Sequence, residues 1–212
     1  MKKYLTEFIG TFFLVFVIGM AVANAGNMAP VAIGCALMVM VYAGGHISGG
    51  HYNPAVTTAA VIRGVIDMKD AVIYMVAQLV GAIVAAGVIW WFTGHALVVA
   101  PGPLYSWKMA LAAEMAGTFA LAYVVLNVAT HPKTSGNSYY GLAIGFTVLS
   151  MAYALGAVSG GAFNTAVGLG PNIVQMLTGD MSNARHVWLY IVGPIAGGAI
   201  AAYTYKFINA GE

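Results

Sequence analysis

The amino-acid sequence predicts an all-α membrane protein, a bundle of six transmembrane helices plus two re-entrant half-helices arranged as an inverted repeat. Composition is the first reason. Of 212 residues, 61% are hydrophobic and 7% are charged, so the chain cannot cover itself with a water-soluble surface. The other two reasons are a motif that occurs twice and a set of apolar runs long enough to cross a bilayer.

The repeated motif is a Ser-Gly-Gly-x-x-Asn-x-Ala-Val frame. It begins at Ser48 and again at Ser159. The flanks repeat as well, since Glu-x-x-Gly-Thr-Phe begins at Glu7 and at Glu114. We therefore expect a single domain over residues 1–212, built from two copies of one unit at approximately 1–98 and 104–212.

Each copy contains three long apolar runs. The first follows Lys2 and Lys3 and superficially resembles a signal peptide, but it carries Glu7 and recurs around Glu114 in mid-chain, where no signal peptide can be. Small residues three or four apart in the third and sixth runs are expected to let helices pack closely. The predicted spans are about 4–23, 31–44, 71–92, 107–128, 139–157 and 187–208.

A short apolar helix follows each motif. Asn53 is expected to cap the first and Pro54 to occupy its first position, where the missing N–H costs nothing. That helix ends near Arg63 and covers roughly 15 Å, about half of a ~30 Å hydrocarbon core. Asn164 and Thr165 hold the corresponding positions in the second copy. Both segments should therefore dip into the membrane without crossing it.

The distribution of lysine and arginine predicts the orientation. Three spans per copy, an odd number, invert the second copy relative to the first. With both termini cytoplasmic, six of the eight Lys and Arg residues lie inside and only Lys108 and Arg185 lie outside. All four tryptophans then fall at outer helix ends, as in an interfacial aromatic belt. We expect a plasma (inner) membrane protein with both termini cytoplasmic.

Inversion brings the two motifs together near the middle of the membrane. Irregular backbone is tolerated at that depth only where protein encloses it or where it lines a water-filled cavity. Two helix N-termini, each equivalent to about half a positive charge, then face one spot that repels cations and accepts a neutral dipole. The oxygens of Asn53 and Asn164 should cap their helices while their NH2 groups donate into the lumen. Acceptors along the wall are expected from the backbone carbonyls of Gly49, Gly50, His51, Gly160, Gly161 and Ala162.

These residues resemble a known family. The run from Ser48 to Thr57, its inverted partner, and the Glu-x-x-Gly-Thr-Phe openings resemble the aquaporin, or major intrinsic protein, family over essentially the whole chain. The resemblance implies a right-handed bundle, assembled as a homotetramer with one pore per subunit. It also implies passive flow of water and small neutral solutes across the lipid bilayer, with no cofactor.

At the outer constriction the chain departs from the family pattern. The family usually has a second Asn-Pro-Ala followed by Arg, whereas this chain has Asn-Thr-Ala-Val at residues 164–167. Two consequences stay open: a wider pore that also passes ammonia, urea, glycerol or dissolved gases, or an apolar ring that excludes water and closes the pore. By position, the predicted selectivity filter is small and apolar and consists of Ile33, Ala152, Gly161 and Val167.

Ionisable residues in the spans and loops have two interpretations each. Glu7 and Glu114 either anchor the adjacent loops, as the resemblance suggests, or carry a proton in a coupled transporter. His46 and His51 either support the first loop or titrate as a gate. His131, in the loop after the fourth span, is either a looser gating candidate or a merely solvated histidine.

Composition and spacing argue against several other classes of protein. The net charge of +2 is too small and too scattered to indicate a nucleic-acid partner. We expect no metal site, because no His, Cys, Asp and Glu set has ligand spacing, and no enzyme, because no nucleophile and base form a recognisable constellation. A structural membrane-junction protein with a closed pore and a proton-coupled transporter remain as alternatives to a channel.

Overall fold

The computed structural model of the chain describes residues 1–210, which form eight α-helices and no strand. Six of these helices in the described part are long and apolar enough to cross a membrane, and the remaining two, α3 and α7, are the half-helices. The predicted fold class is thus confirmed. The helices are α1 Lys2–Asn24, α2 Ala29–Ser48, α3 Pro54–Arg63, α4 Met68–Thr93, α5 Trp107–Thr130, α6 Tyr140–Ser159, α7 Thr165–Leu177 and α8 Leu189–Ile208.

The second span is longer than the sequence predicts. Its end was expected near Gly44, but α2 continues to Ser48 and stops at Gly49, which adopts a left-handed conformation with φ 90°. The prediction is wrong because Gly44 serves packing and not an irregular backbone. A Cβ on Gly44 would overlap the Tyr52 hydroxyl, so the helix needs a glycine there to let that side chain pass.

Each half-helix packs on a span of the other copy. α3 lies against α8, α7 lies against α4, and α2 and α6 close the bundle between the two halves. Small residues make these approaches possible: a Cβ on Gly198 would lie 2.5 Å from the Ala55 carbonyl oxygen, and one on Gly170 would lie 2.6 Å from the Ala82 Cβ. The two copies are therefore interlocked, and the half-helices are held inside the bundle.

Large apolar side chains cover the outside of the spans. Phe13, Val76 and Phe146 are exposed on α1, α4 and α6. In water such a surface would be unfavourable, whereas hydrocarbon accommodates it. The aromatic rings of Trp107 and Trp188 lie 5.7 Å apart at the start of α5 and just before α8, in keeping with an interfacial position. The chain is thus built to lie in a bilayer.

Candidate functional site

Two loops with matching backbone conformations meet inside the bundle. Each starts with two glycines at positive φ and continues to an aromatic residue that is also left-handed. An aromatic side chain in this region is strained by about 1–3 kcal/mol and persists only where its surroundings hold it. The φ values are 90°, 64° and 49° at Gly49, Gly50 and Tyr52, and 88°, 65° and 46° at Gly160, Gly161 and Phe163.

The carboxylate of Glu7 is hydrogen-bonded to the first loop. It is fully buried, and its Oε1 accepts hydrogen bonds from the Ser48 hydroxyl at 2.6 Å and the His51 N–H at 3.0 Å. Its Oε2 accepts from the strained Tyr52 N–H at 2.7 Å and from the Gln78 amide at 2.8 Å. Four donors thus satisfy the two oxygens of this buried side chain.

Glu114 binds the second loop in the same way. Its Oε1 accepts from the Ser159 hydroxyl at 2.7 Å and the Ala162 N–H at 3.0 Å, and its Oε2 accepts from the Phe163 N–H at 2.7 Å. Both Glu residues therefore contact the neighbouring loops directly, which is the geometry of the anchoring interpretation.

The glycine three residues after each Glu also has a structural cause, which sequence reasoning missed. A Cβ on Gly10 would overlap the Tyr52 ring, and one on Gly117 would overlap the Phe163 ring. The repeated Glu-x-x-Gly pattern was the available signal, because one helical turn places both residues on the same face. In each copy the carboxylate thus binds the backbone N–H of the aromatic residue, and the glycine leaves room for its ring.

The two asparagine caps are each hydrogen-bonded to the opposite loop. Each Oδ1 accepts from the backbone N–H two residues ahead, at 2.9 Å in both copies. Each Nδ2 donates to the opposite loop: Asn53 to the Phe163 carbonyl at 2.9 Å, and Asn164 to the Tyr52 carbonyl at 2.8 Å. The expectation that both NH2 groups serve the lumen needs correction, because one hydrogen of each is committed to the other loop. One hydrogen per amide is left for a molecule in the lumen.

A cavity of about 220 Å³ lies beside the asparagine pair. Within residues 1–210, the polar side chains that line it are His51, Asn53 and Asn164, and the rest of the wall is apolar side chains and glycine backbone. All four predicted filter residues line this cavity, and so do the predicted carbonyl positions other than Gly49. Those lining residues are Ile33, Ala152, Gly161 and Val167, with Gly50, His51, Gly160 and Ala162.

Three predicted site residues lie elsewhere. Gly49 lines a second cavity, of about 580 Å³, on the other side of the first loop. Pro54 and Thr165 are buried in the first turns of α3 and α7 and are not among the residues that line either cavity. The Thr165 hydroxyl has no hydrogen-bond partner within residues 1–210. The placement of Pro54 and Thr165 at the pore midplane stays a prediction.

Most of the apolar wall escaped sequence reasoning. Leu14, Leu37 and Leu121 line the cavity from three different spans, and their sequence pattern does not separate them from ordinary core leucines. The connection between the copies also contributes, through residues 97–99. Asn172 holds this connection by donating to the Val99 carbonyl at 3.0 Å. An apolar Leu-Val-Val run inside a long loop was a usable signal.

The histidines occupy different environments. Nδ1 of His51 lies 3.1 Å from the Thr57 hydroxyl, and His51 and Val125 line both cavities, which puts them at the boundary between the two. His46 is exposed on the last turn of α2. His46 thus lies on the helix and not in the loop, and both interpretations of its role stay predictions. His131 is largely buried and accepts from the Lys133 N–H at 3.0 Å, in the connection between α5 and α6.

Asn53→Asp tests the cross-loop bonds. Aspartate caps a helix as well as asparagine, so α3 should keep its start. Its oxygen would face the Phe163 carbonyl oxygen in place of an N–H donor, and we expect a loss of about 1–3 kcal/mol in stability. A lower thermal midpoint of the purified protein would show this. Asn27→Asp, the same change at an exposed residue just before α2, is the control; an equal shift in both variants would contradict the assignment.

Comparisons with known proteins agree on one family. The family model described as Major intrinsic protein matches residues 1–205. Glycerol uptake facilitator protein-like 6 of Lactiplantibacillus plantarum is 38% identical, with 99% of both chains covered. Aquaporin NIP1-1 of Zea mays is 36% identical, covering 98% of this chain and 75% of the relative. The structure of the aquaglyceroporin from Plasmodium falciparum is similar in fold, with a TM-score of 0.88 at 21% identity and 99% and 96% of the chains covered.

Proposed function

The chain belongs to the major intrinsic protein family, and from this premise we propose how its pore selects among solutes. Its relatives are named aquaporins and a glycerol uptake facilitator, and like them it is a passive transmembrane channel for water and small uncharged solutes, not an enzyme.

We propose that Ile33, Ala152, Gly161 and Val167 form a filter that passes small uncharged solutes such as glycerol or urea together with water. The single observation that carries this proposal is the wall of the cavity beside the asparagine pair, where no lysine or arginine lies among the described residues. Such a wall discriminates by size and by the cost of dehydration, and it does not demand the hydrogen-bonding pattern of water. Backbone carbonyls at Gly160 and Ala162 supply acceptors for hydroxyl or amide hydrogens.

Proton exclusion is assigned to the asparagine pair. Asn53 and Asn164 each retain one amide hydrogen beyond the cross-loop bond, and α3 and α7 begin at these residues. A water at this point accepts two hydrogen bonds through its oxygen, so its own hydrogens point away along the pore. Two helix N-termini, each equivalent to about half a positive charge, oppose a hydronium ion at the same place. A continuous proton wire would be broken there.

Assembly and orientation complete the proposal. We assign the protein to a plasma (inner) membrane as a homotetramer with cytoplasmic termini, each subunit being one domain over residues 1–212 with repeats at approximately 1–98 and 104–212. The family resemblance supports the tetramer, and the lysine and arginine distribution supports the orientation. Lys3 pairs with Asp70, and Lys206 lies 3.4 Å from the Ile62 carbonyl. Cations therefore gather at the end of the bundle proposed to be inside.

Stopped-flow light scattering on proteoliposomes tests the proposed selectivity. We expect fast shrinkage in an impermeant osmolyte, followed by re-swelling in glycerol or urea at rates well above those of empty liposomes. Water flux without solute entry would contradict the relaxed filter. No flux above empty liposomes would contradict an open pore and favour a closed, junction-type protein. Flux that saturates or requires a proton gradient would instead favour a coupled transporter.

A further inference from the structure

A third cavity lies away from the pore, at the end of the bundle where α3 and α8 terminate. Its volume is about 160 Å³. Arg63 is the last residue of α3, and Lys206 lies in the last turn of α8. Within residues 1–210 no carboxylate lines this basic cavity, which is formed by Arg63, His131, Pro132, Tyr205, Lys206 and Asn209.

The guanidinium of Arg63 is held in place but not fully paired. Its Cζ lies 4.9 Å from the centre of the Tyr205 ring, and Tyr205 is only 2% exposed, so the stacking partner is fixed in the core. The His131 ring meets the same tyrosine edge-on at 6.0 Å. The Nε of Arg63 is buried and has no hydrogen-bond partner within residues 1–210. An unpartnered buried donor on a cation favours an anionic acceptor at this position.

Lys206 adds a second cation at the rim. Its side chain is exposed, and its Nζ makes one long contact, 3.4 Å from the Ile62 carbonyl oxygen. A flexible ammonium next to a fixed guanidinium is a common way to bind phosphate: the arginine supplies the planar fork and the lysine a point charge.

The internal repeat shows that the fold does not require these cations. The repeat pairs Glu7 with Glu114, Asn53 with Asn164, and Gln78 with Pro194. The same alignment pairs the basic residues with uncharged ones, so the cavity is a feature of one end of the bundle only. Arg63, His131 and Lys206 correspond to Val174, Asn24 and Trp90.

We propose that the basic cavity binds a phosphate group, presented either by the headgroup of an anionic lipid or as free phosphate. The exposed apolar side chains of Tyr203 and Phe207 lie on the same end of α8, where acyl chains would run. Basic pockets between transmembrane helices on the cytoplasmic side suit anionic headgroups. Bound phosphate would tie the end of α3, the half-helix that begins at Asn53, to the end of α8.

Thermal stability and native mass spectrometry of the purified full chain in neutral detergent test this proposal. The probes are short-chain phosphatidylglycerol, short-chain phosphatidylcholine, inorganic phosphate, and chloride at matched ionic strength. We expect phosphatidylglycerol to raise the melting temperature and to stay bound in the mass spectrum, while phosphatidylcholine does neither. If inorganic phosphate raises the melting temperature as much as phosphatidylglycerol does, the free anion is sufficient as the ligand. If only the lipid raises it, the ligand is the lipid headgroup. A wild-type protein that responds to neither phosphate source overturns the proposal.

A matched pair of double variants locates the site. Arg63→Gln with Lys206→Gln should raise the half-saturating concentration of phosphatidylglycerol by about ten-fold. Lys2→Gln with Lys69→Gln removes the same charge from exposed positions at the same end, outside the cavity, and should leave binding unchanged. Equal weakening in both pairs would mean general surface attraction and would refute the cavity. If the first double variant does not fold, Lys206→Gln alone should weaken binding about three-fold, and no change would refute the site.

Discussion

Glu7→Gln is expected to destabilise the first pore loop and to lower water permeability. Both carboxylate oxygens of Glu7 act as acceptors, and each accepts one backbone N–H, from His51 and from Tyr52. An amide has only one acceptor oxygen, so its NH2 must face a backbone N–H whichever way it is turned. Each orphaned buried group costs about 1–3 kcal/mol, and each kcal/mol lowers the melting temperature of a chain of this size by about 2–4 °C.

The measurement combines a thermal melt in detergent with stopped-flow water flux per folded protein. Asp67→Asn is the matched control, since it makes the same acid-to-amide change at an exposed helix cap that accepts the Asp70 N–H at 2.8 Å. Asparagine and aspartate cap equally well, so the control should melt like the wild type. If Glu7→Gln and Asp67→Asn have the same melting temperature, Glu7 does not hold the loop.

The internal repeat offers a second comparison. Glu114→Gln creates the same conflict with the Ala162 and Phe163 N–H groups, but Glu114 lacks a counterpart to the Gln78 amide bond of Glu7. We expect Glu114→Gln to lower the melting temperature as well. If Glu114 served only to carry a coupling proton, its substitution would not need to change the melting temperature. The two substitutions act on separate loops. If the double variant loses more stability than the two single variants together, the difference measures the coupling through the cross-loop hydrogen bonds of Asn53 and Asn164.

The parts of the site that sequence reasoning located are those with unusual chemistry in an apolar context. A carboxylate such as Glu7 in a span has few physical explanations, and so has an asparagine such as Asn53 that follows two glycines and precedes a proline. Because both features occur in each copy of the repeat, most of the remaining explanations are excluded. The fold follows from the same residues, because two short helices and six spans in an inverted repeat leave little topological freedom.

The parts that were missed depend on three-dimensional packing. Leu14 and Leu121 line the pore but have the composition and periodicity of lipid-facing or core residues, so no local pattern distinguishes their roles. Gly44 was misassigned for the same reason: a glycine that admits a Tyr52 side chain and a glycine that breaks a helix have the same sequence signature. The cross-loop bonds of the asparagines could not be predicted either, because they depend on where the opposing loop lies in the folded protein.

Val167→Arg is expected to narrow the range of solutes that pass through the pore, by lowering the permeability to glycerol and urea. Val167 is 3% exposed and lines the cavity of about 220 Å³ with the other proposed filter residues. A guanidinium there adds bulk, a positive charge and five donors to an apolar wall. A barrier of about 1.4 kcal/mol against glycerol and urea suffices for a fall of about ten-fold in their permeability, which stopped-flow re-swelling measures.

Two further substitutions at Val167 separate the possible causes. Val167→Met adds length without charge, so a fall in solute entry that appears only with Arg is electrostatic, and a fall shared by both is steric. Val167→Thr keeps the shape and adds one hydroxyl. If the ring is wide and wet, this variant should conduct water like the wild type; if the ring is dry, a hydroxyl should help water enter and raise the flux. A glycerol-to-water permeability ratio that none of the three changes alters would remove Val167 from the filter.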